Sequence, residues 1–225
     1  MTSLRKPRAR PSGRPLTSTL KGTNVPNSNR HDITVILDRS GSMLTVASDT
    51  EGGLKAFLAE QAANPGETYV SLYQFSNHCE PVYEYSLLAD VPDYTLHPTG
   101  MTALLDAVGS TITTKRAHFD AMPDSDVPGR ITVVILTDGL ENASTEWRSR
   151  RQVRRLINEL QAKGWVFVFL GADQDAFAAA GDMGIGADTT LSYSSRRTAE
   201  TLTRAGRMVS RGGGFTADDR NATRH

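Results

Sequence analysis

An α/β fold is expected: an open, mostly parallel sheet of about six strands with one antiparallel edge strand and helices on both faces. Three observations predict it. The runs "ITVIL" (Ile33–Leu37), "ITVVIL" (Ile131–Leu136) and "WVFVFLG" (Trp165–Gly171) are apolar almost throughout, the mark of strands buried on both faces. Stretches with helical spacing of apolar residues lie between them. One pair of β-rich runs is joined too tightly for anything but a hairpin.

Taken in order, Ile33–Leu37 is the first strand, and Leu54, Phe57 and Leu58 in "GGLKAFLAEQAA" then form a helical stripe that "NPGE" ends. Thr68–Ser76 and Cys79–Ser86 are separated only by Asn77 and His78, so they pair antiparallel. Pro81 removes a ladder donor from the second of them and assigns it to an edge. In "HPTGMTALLDAVGSTITTKR", Leu104, Val108 and Ile112 recur every four residues, predicting a helix that opens at Thr102. The polar loop "FDAMPDSDVPGR" leads into the second buried strand, which Asp138 ends.

Val153, Leu156, Ile157 and Leu160 mark the next helix, Gly164 breaks it, and "WVFVFLG" is the third buried strand. A short helix near Asp175–Met183, a weak strand in "TTLSYS" and a final helix around Arg196–Ser210 complete the pattern, which is Rossmann-like in its alternation.

The chain has 225 residues, 38% apolar and 22% charged, a composition suited to one good-sized domain with tails. Its net charge of zero is unevenly spread. Residues 1–30 carry seven Lys/Arg and no acid, residues 196–225 carry seven Arg and three acids, and the stretch between holds 11 basic and 22 acidic residues. The expected organisation is a disordered basic tail over 1–30, a domain over 31–210 and a frayed tail over 211–225. No run of about 18 apolar residues and no signal-peptide core is present, so the expected location is cytoplasmic, with no membrane span. Cys79 is the single cysteine, which excludes an internal disulfide and reads as a half-buried apolar residue.

In an open parallel sheet the loops after the strands gather at one edge, and ligands bind where the strand order reverses. Three polar clusters fall there: Asp38, Ser40 and Ser42 in "DRSGS", Thr102 in "TGMT", and Asp138 in "LTDG". Two carboxylates and three hydroxyls form a hard oxygen donor set of the kind Mg²⁺ takes, with positions left for water. Alternate residues of an extended loop project to one side, so Asp38, Ser40 and Ser42 can reach one ion, with Gly41 between them for a tight turn. The same residue types also serve as turns and helix caps.

These segments, in this order and spacing, resemble the von Willebrand factor type A family. "DRSGS" matches its Asp-x-Ser-x-Ser motif, "TGMTAL" the segment with its metal-site threonine, and "ILTDG" its later aspartate. The resemblance covers roughly residues 31–210, and "LTDGLENAS" and "GWVFVFLGADQDA" look like bacterial or phage members. It implies a metal-ion-dependent adhesion site holding Mg²⁺, with Mn²⁺ or Ca²⁺ as alternatives. Ser40 and Ser42 would ligate directly, and Asp38, Thr102 and Asp138 directly or through water. It further implies a protein partner that presents an Asp or Glu to the ion, and no enzymatic activity.

Other features carry less. Asp173 and Asp175 in "DQD" read as caps of the following helix. His31, His78, His97, His118 and His225 lack metal-ligand spacing and read as surface or loop residues. "RSRRQVRR" (Arg148–Arg155) reads as a solvated helix face, so nucleic acid is not an expected partner. The competing function is a Mg²⁺-dependent hydrolase or phosphotransferase, which also places Asp after the first strand of an α/β sheet. Against it, position 40 is Ser, no nucleophile-plus-acid pair of carboxylates is present, and Lys115 and Arg116 lie about four turns from Thr102.

Overall fold

The computed structural model describes residues 26–172 and 175–223. The chain runs β1 (Asn27–Asp38), α1 (Ala47–Ala62), β2 (Glu67–Phe75), β3 (Cys79–Leu87), α2 (Leu104–Asp120) and β4 (Pro128–Thr137). It continues through α3 (Arg150–Ala162), β5 (Val166–Ala172), α4 (Ala176–Asp182), β6 (Thr190–Tyr193), α5 (Thr198–Arg211) and α6 (Ala217–Thr223). The strands form one six-stranded sheet in the order β3-β2-β1-β4-β5-β6. All neighbours are parallel except β2 and β3, with β3 at the edge, as Pro81 requires.

The near-continuous apolar runs follow from helices covering both faces. Ile36, Val133, Ile135, Phe167 and Phe169 point to the side of α2 and α3. Ile33, Val35, Leu37, Val134, Leu136, Val168 and Leu170 point to the side of α1 and α5. Successive residues of each central strand therefore enter opposite cores, and a polar residue on either face needs a partner.

Asp32 and Thr34 meet that demand on the α2 side. Thr34 Oγ1 donates to Asp32 Oδ2 (3.1 Å), and Lys115 Nζ, buried on α2, donates to Asp32 Oδ1 (2.7 Å) and Ser71 Oγ (3.1 Å). The Lys115 ammonium also stands 4.9 Å from the Phe119 ring centroid and 5.2 Å from that of Tyr85. Lys115 thus points into the core below the sheet, away from Thr102.

Several expectations need correction. β1 begins at Asn27, before the boundary placed at residue 31: Asn27 N donates to the Val127 carbonyl (2.8 Å), and Arg30 pairs with Glu67 and Asp126. Backbone pairing extends the strand through polar residues that carry no apolar signal. Residues 1–25 of the expected tail lie outside the described residues.

The stretch expected to fray after 211 contains α6. Its buried Asp219 accepts bonds from Thr216 N and Oγ1 and pairs with Arg204 and Arg211, while Arg220 reaches the Thr190 and Ala187 carbonyls. His31 is buried rather than at the surface, because it lies on a central strand, where its ring Nε2 meets Thr132 Oγ1 at 3.0 Å. Burial, with the nearby Arg130 charge, lowers its pKa to about 3.

Asp175 caps α4 by accepting from Ala178 N (3.0 Å), whereas Asp173 lies outside the described residues. Arg151, Arg154 and Arg155 are exposed on α3, and Cys79 is half-buried beside Thr111. No helix among the described residues is long and apolar enough to cross a membrane.

Candidate metal centre

From β1 the chain connects to β2 on one side, and β4 pairs on the other side of β1, so the strand order reverses between β1 and β4. All three polar clusters gather at the C-terminal ends of these strands. Asp38 is the last residue of β1 and Thr137 the last of β4, which leaves Asp138 as the first residue of the following loop.

The oxygens form a connected set. Ser40 N donates to Asp38 Oδ1 (2.7 Å), Ser40 Oγ lies 3.1 Å from Ser42 Oγ, and Ser42 Oγ donates to Asp138 Oδ1 (2.7 Å). Asp38 Oδ2 accepts from the buried Thr137 Oγ1 at 2.6 Å. Asp38 and Ser40 are buried, Asp138 is partly exposed and Ser42 is exposed, so the set rises from the sheet to the surface.

Thr102 is buried two residues before α2, rather than opening that helix. Its Oγ1 sits 2.8 Å from where a Cβ on Gly139 would stand, so a glycine after Asp138 lets the two loops close together. Gly41, by contrast, has room for a Cβ, 3.6 Å from the Gly100 carbonyl, and its φ is not positive. The expectation that the turn in "DRSGS" needs glycine is therefore not met. Gly100 is the glycine required at this edge, with φ +77° and Asn77 Oδ1 only 2.2 Å from a built Cβ.

Burial pushes the Asp38 carboxyl up to about 6, against the hydrogen bonds from Thr137 and Ser40, which lower it; the Asp138 charge adds to the rise. A carboxylate so buried is stabilised by a neighbouring cation. Carboxylate and hydroxyl oxygens of Asp38, Ser40, Ser42 and Asp138 stand together, with Thr102 Oγ1 beside the loop that follows Asp138, and donors of this chemistry are the kind a hard divalent ion takes. Among the described residues no group of three or more His, Cys, Asp or Glu is placed to hold a metal, so this set rests on its hydroxyls.

Supporting residues that sequence reasoning missed lie mainly in the loop after Asp138. Asn142 Oδ1 accepts from Thr102 N (2.8 Å), and Asn142 N donates to the Thr102 carbonyl (3.0 Å). The Glu141 carboxylate accepts from Leu105 N, Ala143 N, Ser144 N and Ser144 Oγ at 2.7–3.0 Å. Asp106 accepts from the backbone of Thr145, Glu146 and Trp147 (2.6–3.0 Å for the shortest bond to each), and these bonds outweigh burial to hold its pKa low. Trp147 packs on Gly109, where a Cβ would meet its ring at 2.2 Å. The acid and amide in "LTDGLENAS" are visible in the sequence, but nothing in their spacing names their partners Leu105 and Thr102.

No family model matches the sequence, and no match was found among curated proteins. Among solved structures, the chain is similar to proximal thread matrix protein 1 from the mussel byssus, in a form with a zinc-occupied MIDAS motif. The two share 17% identity with a TM-score of 0.58, over 83% of this chain and 47% of the mussel protein. A von Willebrand factor type A structure from Catenulispora acidiphila matches at 15% identity and TM-score 0.56, over 80% of this chain and 43% of its own. Manganese-loaded TRAP protein of Plasmodium vivax matches at 13% identity and TM-score 0.54, over 80% and 74%. The chain spans less than half the length of the mussel and Catenulispora proteins. Sheet order, the edge hairpin and these likenesses agree: the chain has the fold of the von Willebrand factor type A domain.

Proposed function

We propose that this chain is a divalent-cation-dependent protein-binding module and not an enzyme. Asp38, Ser40, Ser42, Thr102 and Asp138 would hold Mg²⁺, with Mn²⁺ or Ca²⁺ as alternatives, and an Asp or Glu of a partner protein would complete the coordination. The observation that carries this reading is the linked set of Ser40, Ser42 and Asp138 oxygens, which reaches the surface at an exposed Ser42. The ion would supply an electrophile for a carboxylate, while the chain's own groups orient it: Thr137 and Ser40 N hold Asp38, and Asn142 holds Thr102.

Arg39, next to Asp38, is engaged elsewhere and Lys115 lies away from the site, which supports binding over phosphoryl transfer. Arg39 pairs with Glu80 and donates to the His97 carbonyl, and Lys115 is held by Asp32. The metal-loaded states of the mussel and Plasmodium proteins lend support to a cation at this fold position.

Affinity capture with Mg²⁺, compared with chelator and with Asp38→Ala, tests the reading. Partners retained only by the wild-type chain with Mg²⁺ are expected. Phosphatase or nucleotidase turnover with Mg²⁺ or Mn²⁺, lost in Asp38→Ala, would replace it with the hydrolase reading.

A further inference from the structure

Among the described residues three large apolar side chains stand more than half out of the protein: Leu44 (69% exposed), Leu140 (64%) and Met101 (52%). Each lies on a different one of the three loops that carry the proposed ligands. Leu44 is two residues past Ser42, Met101 adjoins Thr102, and Leu140 is two residues past Asp138. Scattered surface apolar residues are ordinary, whereas a group gathered around one site marks an interaction surface.

The backbone holds all three outward. Leu44 lies in a 3₁₀ turn (Gly41–Val46) whose Met43 and Val46 enter the core, and about a third of a turn from them it faces solvent. Met101 N donates to Asn77 Oδ1 (3.0 Å), beside a Gly100 fixed at positive φ. Leu140 precedes Glu141, whose carboxylate is clamped by the four bonds described above. The loops are also tied to one another, through Gly41 N to the Gly100 carbonyl (3.1 Å) and Asn142 N to the Thr102 carbonyl (3.0 Å).

Charge decides what suits this surface. Asp38 and Asp138 offset the charge of a divalent ion, so the centre would exert little long-range attraction. Residues 26–223 carry 18 basic and 25 acidic residues, an acidic excess that disfavours an acidic run or an anionic membrane. A single carboxylate among apolar neighbours meets neither obstacle.

We infer that Leu44, Met101 and Leu140 form a collar that selects a protein segment whose metal-binding Asp or Glu is flanked on both sides by apolar residues. The inference rests on the metal-dependent reading above and adds the sequence class of the partner. The loop of Leu44 follows β1 and that of Leu140 follows its parallel neighbour β4, while the loop of Met101 is held beside them through the Gly100 and Thr102 carbonyls.

The test pans the full chain, with Mg²⁺, against displayed nine-residue peptides that have a fixed central Glu and random neighbours. Enrichment of Leu, Ile, Val, Met or Phe beside the Glu is expected. The best such peptide, measured by calorimetry, should lose binding with chelator and bind about tenfold more weakly to each of Leu44→Ser, Met101→Ser and Leu140→Ser. Mg²⁺ affinity should stay unchanged in all three, since none supplies a ligand.

Peptides with no apolar preference, or variants that bind the selected peptide like the wild type, would overturn the inference. So would a library that yields no Mg²⁺-dependent binder while calorimetry shows Mg²⁺ bound. Mg²⁺-dependent dimerisation lost in Leu140→Ser would overturn it in favour of a second copy as occupant. Failure of the wild-type chain to bind Mg²⁺ strikes the metal-dependent reading itself, which separates the two.

Discussion

Thr137 Oγ1 donates to Asp38 Oδ2 at 2.6 Å, joining the last residue of β4 to the last residue of β1 across the point where the strand order reverses. The same hydroxyl meets the backbone N and O of Gly139, each at 3.1 Å, so one buried side chain sets both acid-bearing loops. Removing it leaves a buried carboxylate oxygen without that donor, which costs about 1–3 kcal/mol. Thr137→Val is therefore expected to lower stability by that amount and to weaken Mg²⁺ binding, and Thr137→Ser to restore both. Denaturant unfolding and calorimetric Mg²⁺ titration check this, and unchanged affinity in Thr137→Val would remove its positioning role.

Asp38→Ala and Ser40→Ala should lose Mg²⁺ binding yet keep the fold, because the two cores on either side of the sheet provide most of the stability. An ion that binds only the folded wild type adds about 2.7 kcal/mol at 100 times its dissociation constant. Thermal unfolding should shift upward with Mg²⁺ in the wild type and return with chelator, and neither mutant should shift. A Mg²⁺ response retained by both mutants would place the ion elsewhere.

The Asp32–Lys115 pair should behave as a buried ion pair, with single substitutions worse than double ones. Lys115→Met strands a fully buried acid and is expected to cost about 3–5 kcal/mol. Asp32→Leu combined with Lys115→Met should recover most of that loss. Urea unfolding of the mutant cycle measures it, and additive losses would show that the two residues do not act together.

His31 predicts an acid-sensitive fold. Its folded pKa is lowered to about 3 by burial first and by Arg130 second, from an ordinary value of 6.5. Between these values the unfolded chain binds the extra proton, so the His31 contribution is full above pH 6.5 and declines as the pH falls, by about 1.4 kcal/mol per pH unit. His31→Gln should flatten the stability curve between pH 6.5 and 4. Urea midpoints across that range test it, and parallel curves for the two proteins would mean another group is responsible.

The order of elements from β1 to α5, and Asp38, Ser40, Ser42 and Asp138 as candidate ligands, were legible in the sequence because their signals are local. An apolar β-branched run followed within four residues by polar oxygens marks the end of a buried strand, whatever lies beside it. "ITVIL" with "DRSGS" and "ITVVIL" with "TDG" both have this form, and Pro81 likewise announced an edge by the donor it lacks.

Tertiary structure decided what depends on neighbours distant in sequence. It brought Lys115 to Asp32, 83 positions away, and Thr137 to Asp38, 99 positions away. It buried His31 against Thr132, and it fastened α6 through Asp219 where composition suggested a frayed end. In each case the residue type is ordinary in a solvated loop or helix face, and only desolvation by the opposing element makes a specific polar partner necessary. The exposure of Leu44, Met101 and Leu140 also depends on tertiary structure: the loops that carry them are joined by bonds that form only when these segments, distant in sequence, meet.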